Sequence, residues 1–275
     1  MKTYSYLTVS LGVIFIIFFN SCERWDCIEG NDIYASEERP SGNFSGVELD
    51  GSFDVYINND TVTRVFVECD ENLMQYISTS VRGNILEIKN KSRKCLNSGY
   101  GIIITVSTPM LNSVQLDGSG FINCGYFNTS SMNIDIDGSG TIHSDVDCNV
   151  LNADIDGSGN IRLVSACTDA DLRIDGSGYI YADIECDELI AEIDGSGEIR
   201  LIGYCIDSYM RVDGSGRIRA FDFESENCDV VINGSGDINV FVWDLLDAHI
   251  EGSGIVYYKG NPVIRTNDWD KVRMR

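Results

Sequence analysis

The chain has 275 residues, with 43 Asp and Glu against 20 Lys and Arg, a formal net charge of −23, 27 Gly, 10 Cys and 2 His. This length accommodates one large domain or two small ones, and an apolar content of 43% excludes a disordered acidic chain. The acidic excess excludes binding to a nucleic-acid backbone, which requires clustered Lys and Arg. Two histidines leave little scope for His-based catalysis or a His-rich metal site.

The first 21 residues have the pattern of a secretory signal, because Lys2 is followed by the apolar run 11–19 and by the small residue Ser21. Cys22 directly after Ser21 resembles a bacterial lipobox, in which the cysteine is acylated and becomes the first residue of the mature chain. We therefore predict a lipoprotein signal peptide over 1–21 and a lipid anchor at Cys22, since two or more acyl chains give stable anchoring. The alternative is an ordinary cleaved signal that leaves Cys22 as a spare thiol.

Residues 22–43 are polar, acidic and aperiodic and end in Pro40-Ser41-Gly42, which predicts a tether between membrane and domain. Residues 44–112 are β-rich without a clear period. We expect this segment to cap one end of the repeats that follow, because an open end would expose unpaired edge groups. Its candidate elements are strands at 46–58, 62–69, 85–90 and 101–107 and a single-turn helix at 70–77.

A corner tetrapeptide, Asp-Gly-Ser-Gly, recurs at steps of 18 to 20 residues in the rest of the chain. The copies begin at Asp117, Asp137, Asp156, Asp175, Asp194, Asp213, Asn233 and Glu251. Apolar and polar residues alternate before each copy, and Ile or Val always stands five residues after its first residue, a pattern typical of half-buried strands on both sides of a corner. One coil per repeat predicts an all-β fold, a parallel β-helix over 113–275 with coils of about 19 residues. A meander of hairpins explains the regular corner less simply.

Four cysteines share this period, each eleven residues after the first residue of a corner: Cys148, Cys167, Cys186 and Cys205. We expect a buried ladder of small thiols, because free cysteine behaves as a small apolar residue. Stacked disulfides are the alternative, since adjacent coils bring Cα atoms within disulfide range. Elsewhere, Cys69 and Cys95 are the pair predicted to form a disulfide.

Two motifs suggest chemistry that the sequence does not support. The segment 135–142 matches the start of an EF-hand loop, but the Glu at position twelve is missing from every copy. We therefore predict no metal or cofactor and expect each corner Asp to cap its own corner through an Asx turn, with calcium between stacked carboxylates as the alternative. Stacked carboxylates also have the spacing of retaining glycosidases, but one recurring carboxylate lacks the unequal surroundings of a catalytic pair. No catalytic residue is predicted.

Several motifs outside the repeat resemble one known family in combination and order. They are Leu-Asp-Gly-Ser-Phe-Asp-Val-Tyr-Ile at 49–57, Asp-Glu-Asn-Leu at 70–73, Gly-Asn-Ile-Leu-Glu-Ile at 83–88 and Tyr-Tyr-Lys-Gly-Asn-Pro at 257–262. With the serial Gly-Ser-Gly corners, they make residues 44–265 resemble the auto-transporter adhesin head domain, or head GIN domain. The resemblance implies a right-handed parallel β-helix, occurrence in secreted Gram-negative lipoproteins, and no catalytic residues to carry over.

We expect a non-enzymatic, lipid-anchored protein of a Gram-negative cell envelope, an outer-membrane lipoprotein facing either the periplasm or the cell surface. Its expected partners are the membrane, through the anchor, and a glycan or protein ligand, with no nucleic acid. The exposed side chains beside the corners form the candidate recognition surface: Arg173, Tyr179, Tyr181, Arg200, Arg211, Arg217 and Arg219. A carbohydrate-active enzyme, hydrolase or lyase, with a carboxylate pair is one alternative, and a structural or assembly protein is another.

Overall fold

A computed structural model describes residues 27–275, in which stacked parallel coils form an all-β solenoid of about nine turns. The predicted signal peptide and Cys22 lie outside the described residues. Two 3-10 helices, Glu71–Tyr76 and Trp269–Lys271, occur in the described part of the chain. No helix within residues 27–275 has the length and apolar character needed to span a membrane.

The strands of residues 27–112 are β1 Ile28–Glu29, β2 Tyr34–Arg39, β3 Gly46–Gly51, β4 Asp54–Asn59, β5 Arg64–Asp70, β6 Ile77–Arg82, β7 Ile85–Asn90, β8 Leu96–Asn97 and β9 Ile103–Thr108. The coils that follow contain β10 Ser113–Gly118, β11 Phe121–Asn128, β12 Ser131–Gly138, β13 Thr141–Asp147, β14 Val150–Gly157, β15 Asn160–Ala166, β16 Asp169–Gly176, β17 Tyr179–Gly195, β18 Glu198–Gly214, β19 Arg217–Gly234, β20 Asp237–Gly252 and β21 Ile255–Gly260. The chain continues with β22 Val263–Thr266 and β23 Val272–Met274. From β17 to β20, one strand runs from each corner to the next.

Each corner joins two parallel sheets. The first sheet contains the residues before the corners and the second sheet contains the residues after them. Equivalent residues of successive coils are direct partners, so Ile155 pairs with Ile174 in the first sheet and Ile161 pairs with Ile180 in the second. All four side chains are at most 2% exposed and lie in a core that runs along the stack. The predicted solenoid and its buried positions are confirmed.

The corner glycines are required by close contact between coils. At Gly195 the backbone has φ +122°, and an added Cβ would lie 2.5 Å from the carbonyl oxygen of Gly176 in the preceding coil. At the second glycine of the same corner, Gly197, a Cβ would lie 2.7 Å from Cγ2 of Ile174. A side chain at the first position would also be strained, because L-residues rarely adopt this φ. Each coil therefore fixes its distance from the next through two glycines.

The stack begins at residue 46 and not at residue 113 as predicted. The single strand predicted over 46–58 is two strands, β3 and β4, joined by a corner at residues 50–53. Asp50 pairs with Asp117, so this corner stacks directly on the first complete one. Phe53 stands where the other corners have their second glycine, and its ring is only 2% exposed. Because Phe53 replaces this glycine, residues 50–53 do not match the Asp-Gly-Ser-Gly motif, and the repeat pattern did not reveal this corner.

Coil order and chain order differ at this end of the solenoid. Strands β7 and β9 come later in the chain than β3 and β4, yet they pair parallel to them on the outer side of the stack. Strand β6 then pairs antiparallel with β7, and β5 pairs antiparallel with β9. These antiparallel strands cover the end of the two parallel sheets.

The described part of the predicted tether, residues 27–43, is joined to this cap and is not a free linker. Strand β1 pairs with β8, and β2 pairs antiparallel with β5 along its whole length. The prediction of a tether is wrong for these residues because backbone hydrogen bonds, and not side-chain packing, hold β2 in the cap. Four of its six side chains are exposed and the other two are partly buried, so it has the polar composition of a linker.

The disulfide prediction is also corrected. Cys95 pairs with Cys27, with Cα atoms 4.5 Å apart, and Cys69 is a free, fully buried thiol on β5. Cys69 points into the core of the cap, whereas Cys27 lies next to β1, which pairs with β8 beside Cys95. The bridge therefore closes residues 27–95 and holds the first described segment on the cap.

Candidate functional site

The corner residues predicted from the repeat form one column along the solenoid, which we call the corner column: Asp117, Asp137, Asp156, Asp175, Asp194, Asp213, Asn233 and Glu251. Asp50 extends the column at the capped end. Within residues 27–275, no side chain of this column accepts a hydrogen bond from an amide of its own corner. The amides bond between coils, as when Ser177 N donates to Gly157 O at 2.7 Å. The prediction that each corner Asp forms an Asx turn is therefore wrong.

Burial and like charge act together on Asp117, near the capped end of this column. Burial, followed by the neighbouring carboxylates of Asp50 and Asp137, raises the pKa of Asp117. Lys89 opposes this shift from the capped end, where its Nζ lies 2.8 Å from Oε1 of Glu48. In the part of the chain that the structure describes, no three His, Cys, Asp or Glu side chains are arranged to hold a metal ion.

A groove of about 330 Å³ lies beside the corner column on the first sheet. We call it the acidic groove, and its polar lining is Asp154, Asp156, Arg173, Asp175, Glu192, Asp194, Arg211 and Asp213. Both of its arginines are bound to carboxylates of this chain. Nε and Nη2 of Arg173 donate to the two oxygens of Asp171 at 2.8 and 2.7 Å, and Nη2 of Arg211 donates to Asp213 at 2.8 Å. The groove therefore presents mainly carboxylates.

The cross-strand carboxylates Asp135 and Asp154 of this sheet do not form the unequal pair that glycoside hydrolysis requires. Asp135 and Asp154 are direct cross-strand partners. Burial raises the pKa of both, and at Asp154 the neighbouring charges of Asp135 and Asp171 add to the increase. A retaining glycosidase needs one carboxyl with a raised pKa and one that stays ionised. Two shifts in the same direction do not provide this difference.

The four periodic cysteines lie where the second sheet turns back towards the first, and all four are free thiols. Cys148, Cys186 and Cys205 are buried, and Cys167 is partly buried. Cys186 and Cys205 are direct cross-strand partners. Hydrogen bonds with Cys167 and Cys205, together with burial, raise the pKa of Cys186 and keep it a neutral thiol. The row packs as small side chains do in a core.

A column of different chemistry runs along the outer face of the second sheet. In the coils from β11 to β21 it is the residue directly after the constant Ile or Val of each coil, and its successive members are cross-strand partners. We call it the arginine–tyrosine ladder: Tyr56, Asn123, His143, Arg162, Tyr181, Arg200, Arg219, Asn239 and Tyr257. No member is Asp or Glu. At about 4.8 Å per coil, the nine members extend over about 38 Å.

Side-chain contacts order this ladder while leaving it accessible. The guanidinium carbon of Arg162 lies 5.2 Å from the ring centre of Tyr181, a cation–π contact. Nε of Arg219 lies 3.0 Å from Glu198, and Nη2 of Arg200 lies 3.7 Å from Asp222. The side chains of these last two arginines are 51% and 47% exposed. They therefore retain N–H donors that face solvent.

The structure divides the predicted recognition residues between the two sheets. Those on the second sheet are Tyr181, Arg200 and Arg219 in the ladder and Tyr179 and Arg217 in the adjacent column. Arg173 and Arg211 lie in the acidic groove. Sequence reasoning missed His143, Arg162 and Tyr257 as members of one surface. Aligning the residue after the constant Ile or Val would have revealed a column without carboxylates.

Three of the solved structures that are similar to this chain come from Parabacteroides species. A putative lipid binding protein from Parabacteroides distasonis is 29% identical with a TM-score of 0.67, covering 90% of this chain and 96% of that chain. A putative adhesin from Parabacteroides merdae is 20% identical with a TM-score of 0.71, covering 91% and 99%. A putative adhesin from Parabacteroides distasonis is 22% identical with a TM-score of 0.64, covering 91% and 98%. The two adhesin structures show the shared fold, and a search of curated proteins found no match.

The family resemblance of the sequence motifs is confirmed. The model of the family described as "Putative auto-transporter adhesin, head GIN domain" matches residues 43–178 and 164–262. These matches include the coil hidden at residues 46–59 and every Gly-Ser-Gly corner. The chain belongs to the head GIN domain family.

Proposed function

We propose that this chain is a non-enzymatic, adhesin-type binding protein of the bacterial cell envelope, anchored to the outer membrane through Cys22. The family description, an adhesin head domain, indicates a protein of the bacterial cell envelope or surface. Two of the similar structures are named adhesins. The similar structure at 29% identity is named a lipid binding protein, which makes a lipid the competing ligand class.

The arginine–tyrosine ladder is the observation that carries this proposal. It places accessible guanidinium and aromatic groups at regular intervals on a rigid sheet. Such groups are the ones enriched at binding surfaces. The interior of the coils is filled by buried apolar side chains, so the polar outer faces are the parts that meet a partner. On the other face, the pKa values of Asp135 and Asp154 are both raised, so these two carboxyls are not set apart as an acid and an ionised partner, which favours binding over catalysis.

Binding without turnover is tested with residues 27–275, which contain every described strand, both ends of the stack and the disulfide. The purified chain is applied to a glycan array and to lipid vesicles, and the glycans that it retains are then checked for shortening. We expect retention on glycans without any change in their length. Shortening of a glycan would identify an enzyme, and retention on vesicles alone would favour the lipid-binding alternative.

Anchoring is tested in a Gram-negative host that expresses the full chain. With labelled fatty acid, we expect the wild type to carry label and to sediment with membranes. Cys22→Ala should lose both properties, because the acylated atom is removed. Ser21→Ala, which keeps a small residue before the cleavage point, is the control and should keep both. Unchanged labelling of Cys22→Ala would refute the anchor.

A further inference from the structure

Building on the binding function proposed above, we propose that the arginine–tyrosine ladder and the adjacent Arg217 bind a linear acidic polysaccharide through its carboxylate or sulfate groups. Three features of this surface support a ligand of this class: the charge distribution, the pairing of each arginine, and the regular spacing of the ladder.

The ladder contrasts with the charge of the whole molecule. The chain carries a net charge of −23, yet the nine members of the ladder include three arginines and no carboxylate. An anionic partner that approaches the corner column or the acidic groove is repelled. An anionic partner that approaches the ladder meets guanidinium groups, which bind carboxylate and sulfate groups through paired N–H donors. Charge complementarity therefore favours the ladder over the corner column and the acidic groove for an anion.

The arginines of the two faces differ in how completely this chain pairs them. In the acidic groove, Arg173 gives two hydrogen bonds to Asp171. On the second sheet, no carboxylate among residues 27–275 lies within ion-pair distance of Arg217. Arg219 contacts Glu198 through Nε, which leaves its terminal N–H groups available. The second sheet thus has donors that are free for an external anion, and the first sheet has few.

These free donors meet in a groove of about 210 Å³ near the C-terminal end of the ladder. Arg217, Arg219, Asn239 and Arg275 line it together with Tyr257 and Asp237. The guanidinium carbon of Arg275 lies 4.3 Å from the ring centre of Tyr257, so the ring holds this cation at the groove. Asp237 is the one acidic side chain in the lining, and its Oδ1 accepts a hydrogen bond from the amide N of Ile255 at 3.1 Å. The groove therefore has three guanidinium groups against the side chain of Asp237 and that of Glu198, which is paired with Arg219.

The shape of the ladder favours a linear polymer. Its members follow one another at about 4.8 Å along one sheet, so an extended chain with regularly spaced charges can contact several of them at once. Nucleic acid also has regular charges, but duplex DNA carries a negative charge about every 1.7 Å of its axis. The net charge of −23 repels that charge density more strongly than it repels a polymer with one charge per sugar or fewer. A polysaccharide with one charge per sugar or per few sugars has the required form.

The proposal is tested by measuring the affinity of residues 27–275 for polygalacturonate, dextran sulfate and neutral dextran at low and high salt. We expect binding to at least one anionic polymer and none to neutral dextran. Raising NaCl from about 50 to about 500 mM should weaken binding at least about tenfold, since exposed ionic contacts are screened. Arg217→Ala with Arg219→Ala should weaken it at least about tenfold, as the loss of two charge-assisted contacts implies.

The matched control is Arg173→Ala with Arg211→Ala, which removes the same charge from the acidic groove and should change the affinity by less than about twofold. Circular dichroism and melting temperature confirm that both variants fold. Equal losses in the two variants, or wild-type affinity in Arg217→Ala with Arg219→Ala, would overturn the ladder as the site. Equal affinity for polyglutamate or for anionic lipid vesicles would overturn the polysaccharide assignment. If other array glycans are retained, the proposed binding function stands even when this inference fails.

Discussion

In the coils between residues 131 and 260, each strand pairs with the coil before it and the coil after it, so these pairings join residues about 19 positions apart. Residues 27–112 are joined by pairings between distant segments, such as β1 with β8 and β2 with β5. The coils repeat one set of contacts many times, whereas the cap uses each of its contacts once.

This difference determines where stability resides. In the coils, stability is a sum of similar contributions from neighbouring repeats, and the same glycine corner recurs from coil to coil. In the cap, a few residues carry many connections. Buried Asp70 accepts hydrogen bonds from Asp32 N at 2.6 Å and Gly99 N at 2.9 Å, and it also binds the hydroxyl of Ser98. A single change should therefore damage the coils only at a corner, and the cap at its connections.

The largest effect is expected from Gly195→Ala in the middle of the stack. The new Cβ would lie 2.5 Å from Gly176 O at a φ of +122°. Backbone strain and overpacking together should cost about 2–6 kcal/mol, measured by chemical denaturation. The control is Gly42→Ala, whose Cβ has no neighbour within 4 Å and which should change stability by less than about 0.5 kcal/mol. Equal stability of the two variants would contradict the role of the corner.

Removing the disulfide with Cys27→Ser should be the next largest effect. The bridge spans 68 residues, and loss of a native disulfide of this kind costs about 2–4 kcal/mol. In hydrogen exchange, we expect faster exchange in β1 and β8 and unchanged exchange from β12 to β20. Wild-type protein treated with a reductant is the control and should behave in the same way. Faster exchange throughout the coils would show that the two regions are not independent.

Acid should act on the two regions in opposite directions. Burial raises the folded-state pKa of Asp117, Asp135 and Asp154 above the ordinary value of an aspartate side chain, so the folded coils bind protons more readily than the unfolded chain. Their stability should rise as the pH falls from 7 towards about 4. Hydrogen bonds from Ser98 and from backbone amides lower the pKa of Asp70, so its contribution is present above 3.8 and is lost as the pH falls through its folded-state pKa.

Limited proteolysis at pH 7, 5 and 3, with a protease active in acid, separates these two responses. We expect cuts to appear in the cap at pH 3 while the coils remain resistant. Asp70→Asn should allow cleavage of the cap already at pH 7. Earlier cleavage of the coils than of the cap in acid would contradict the assignment of the two pKa shifts.

The smallest effect is expected from Asp154→Asn. This substitution removes a partly buried carboxylate that the nearby charges of Asp135 and Asp171 repel, so at pH 7 it should stabilise the chain by no more than about 0.5 kcal/mol. The denaturation midpoint should rise at pH 7, and the difference should vanish in acid, where the wild-type carboxyl is protonated. A lower midpoint at pH 7 would show that the attraction of Asp154 to Arg173 outweighs its repulsion by the acids.

The same contrast explains how much could be predicted from the sequence. The coils were predictable because every copy has the same alternation and the same Gly-Ser-Gly corner, and a pattern that recurs in every copy rarely arises by chance. The cap was not predictable in this way, because its strand pairings and its disulfide produce no repeated sequence pattern. Strand β2 is held by its backbone, Phe53 replaces a glycine that defines the corner, and the partner of Cys95 depends on how β1 folds back.

The candidate site follows the same division. The sequence was sufficient to predict that acidic residues line up in the corner column. It was not sufficient to predict that the corner amides donate hydrogen bonds to the preceding coil, because an Asp-Gly-Ser-Gly corner is equally compatible with Asx turns and with hydrogen bonds between coils. The ladder was present in the repeat alignment at the residue after the constant Ile or Val. Its significance depends on pairing, because Arg173 and Arg219 look alike in sequence and differ in the carboxylates around them.

The central functional claim is that ligands bind the second sheet and not the first. Arginine-specific modification with phenylglyoxal, read by mass spectrometry with and without polygalacturonate, tests it most directly. We expect the polymer to slow modification of Arg217 and Arg219 several-fold and to leave the rates at Arg173 and Arg211 unchanged. Equal protection of all four arginines, or protection confined to Arg173 and Arg211, would contradict the claim.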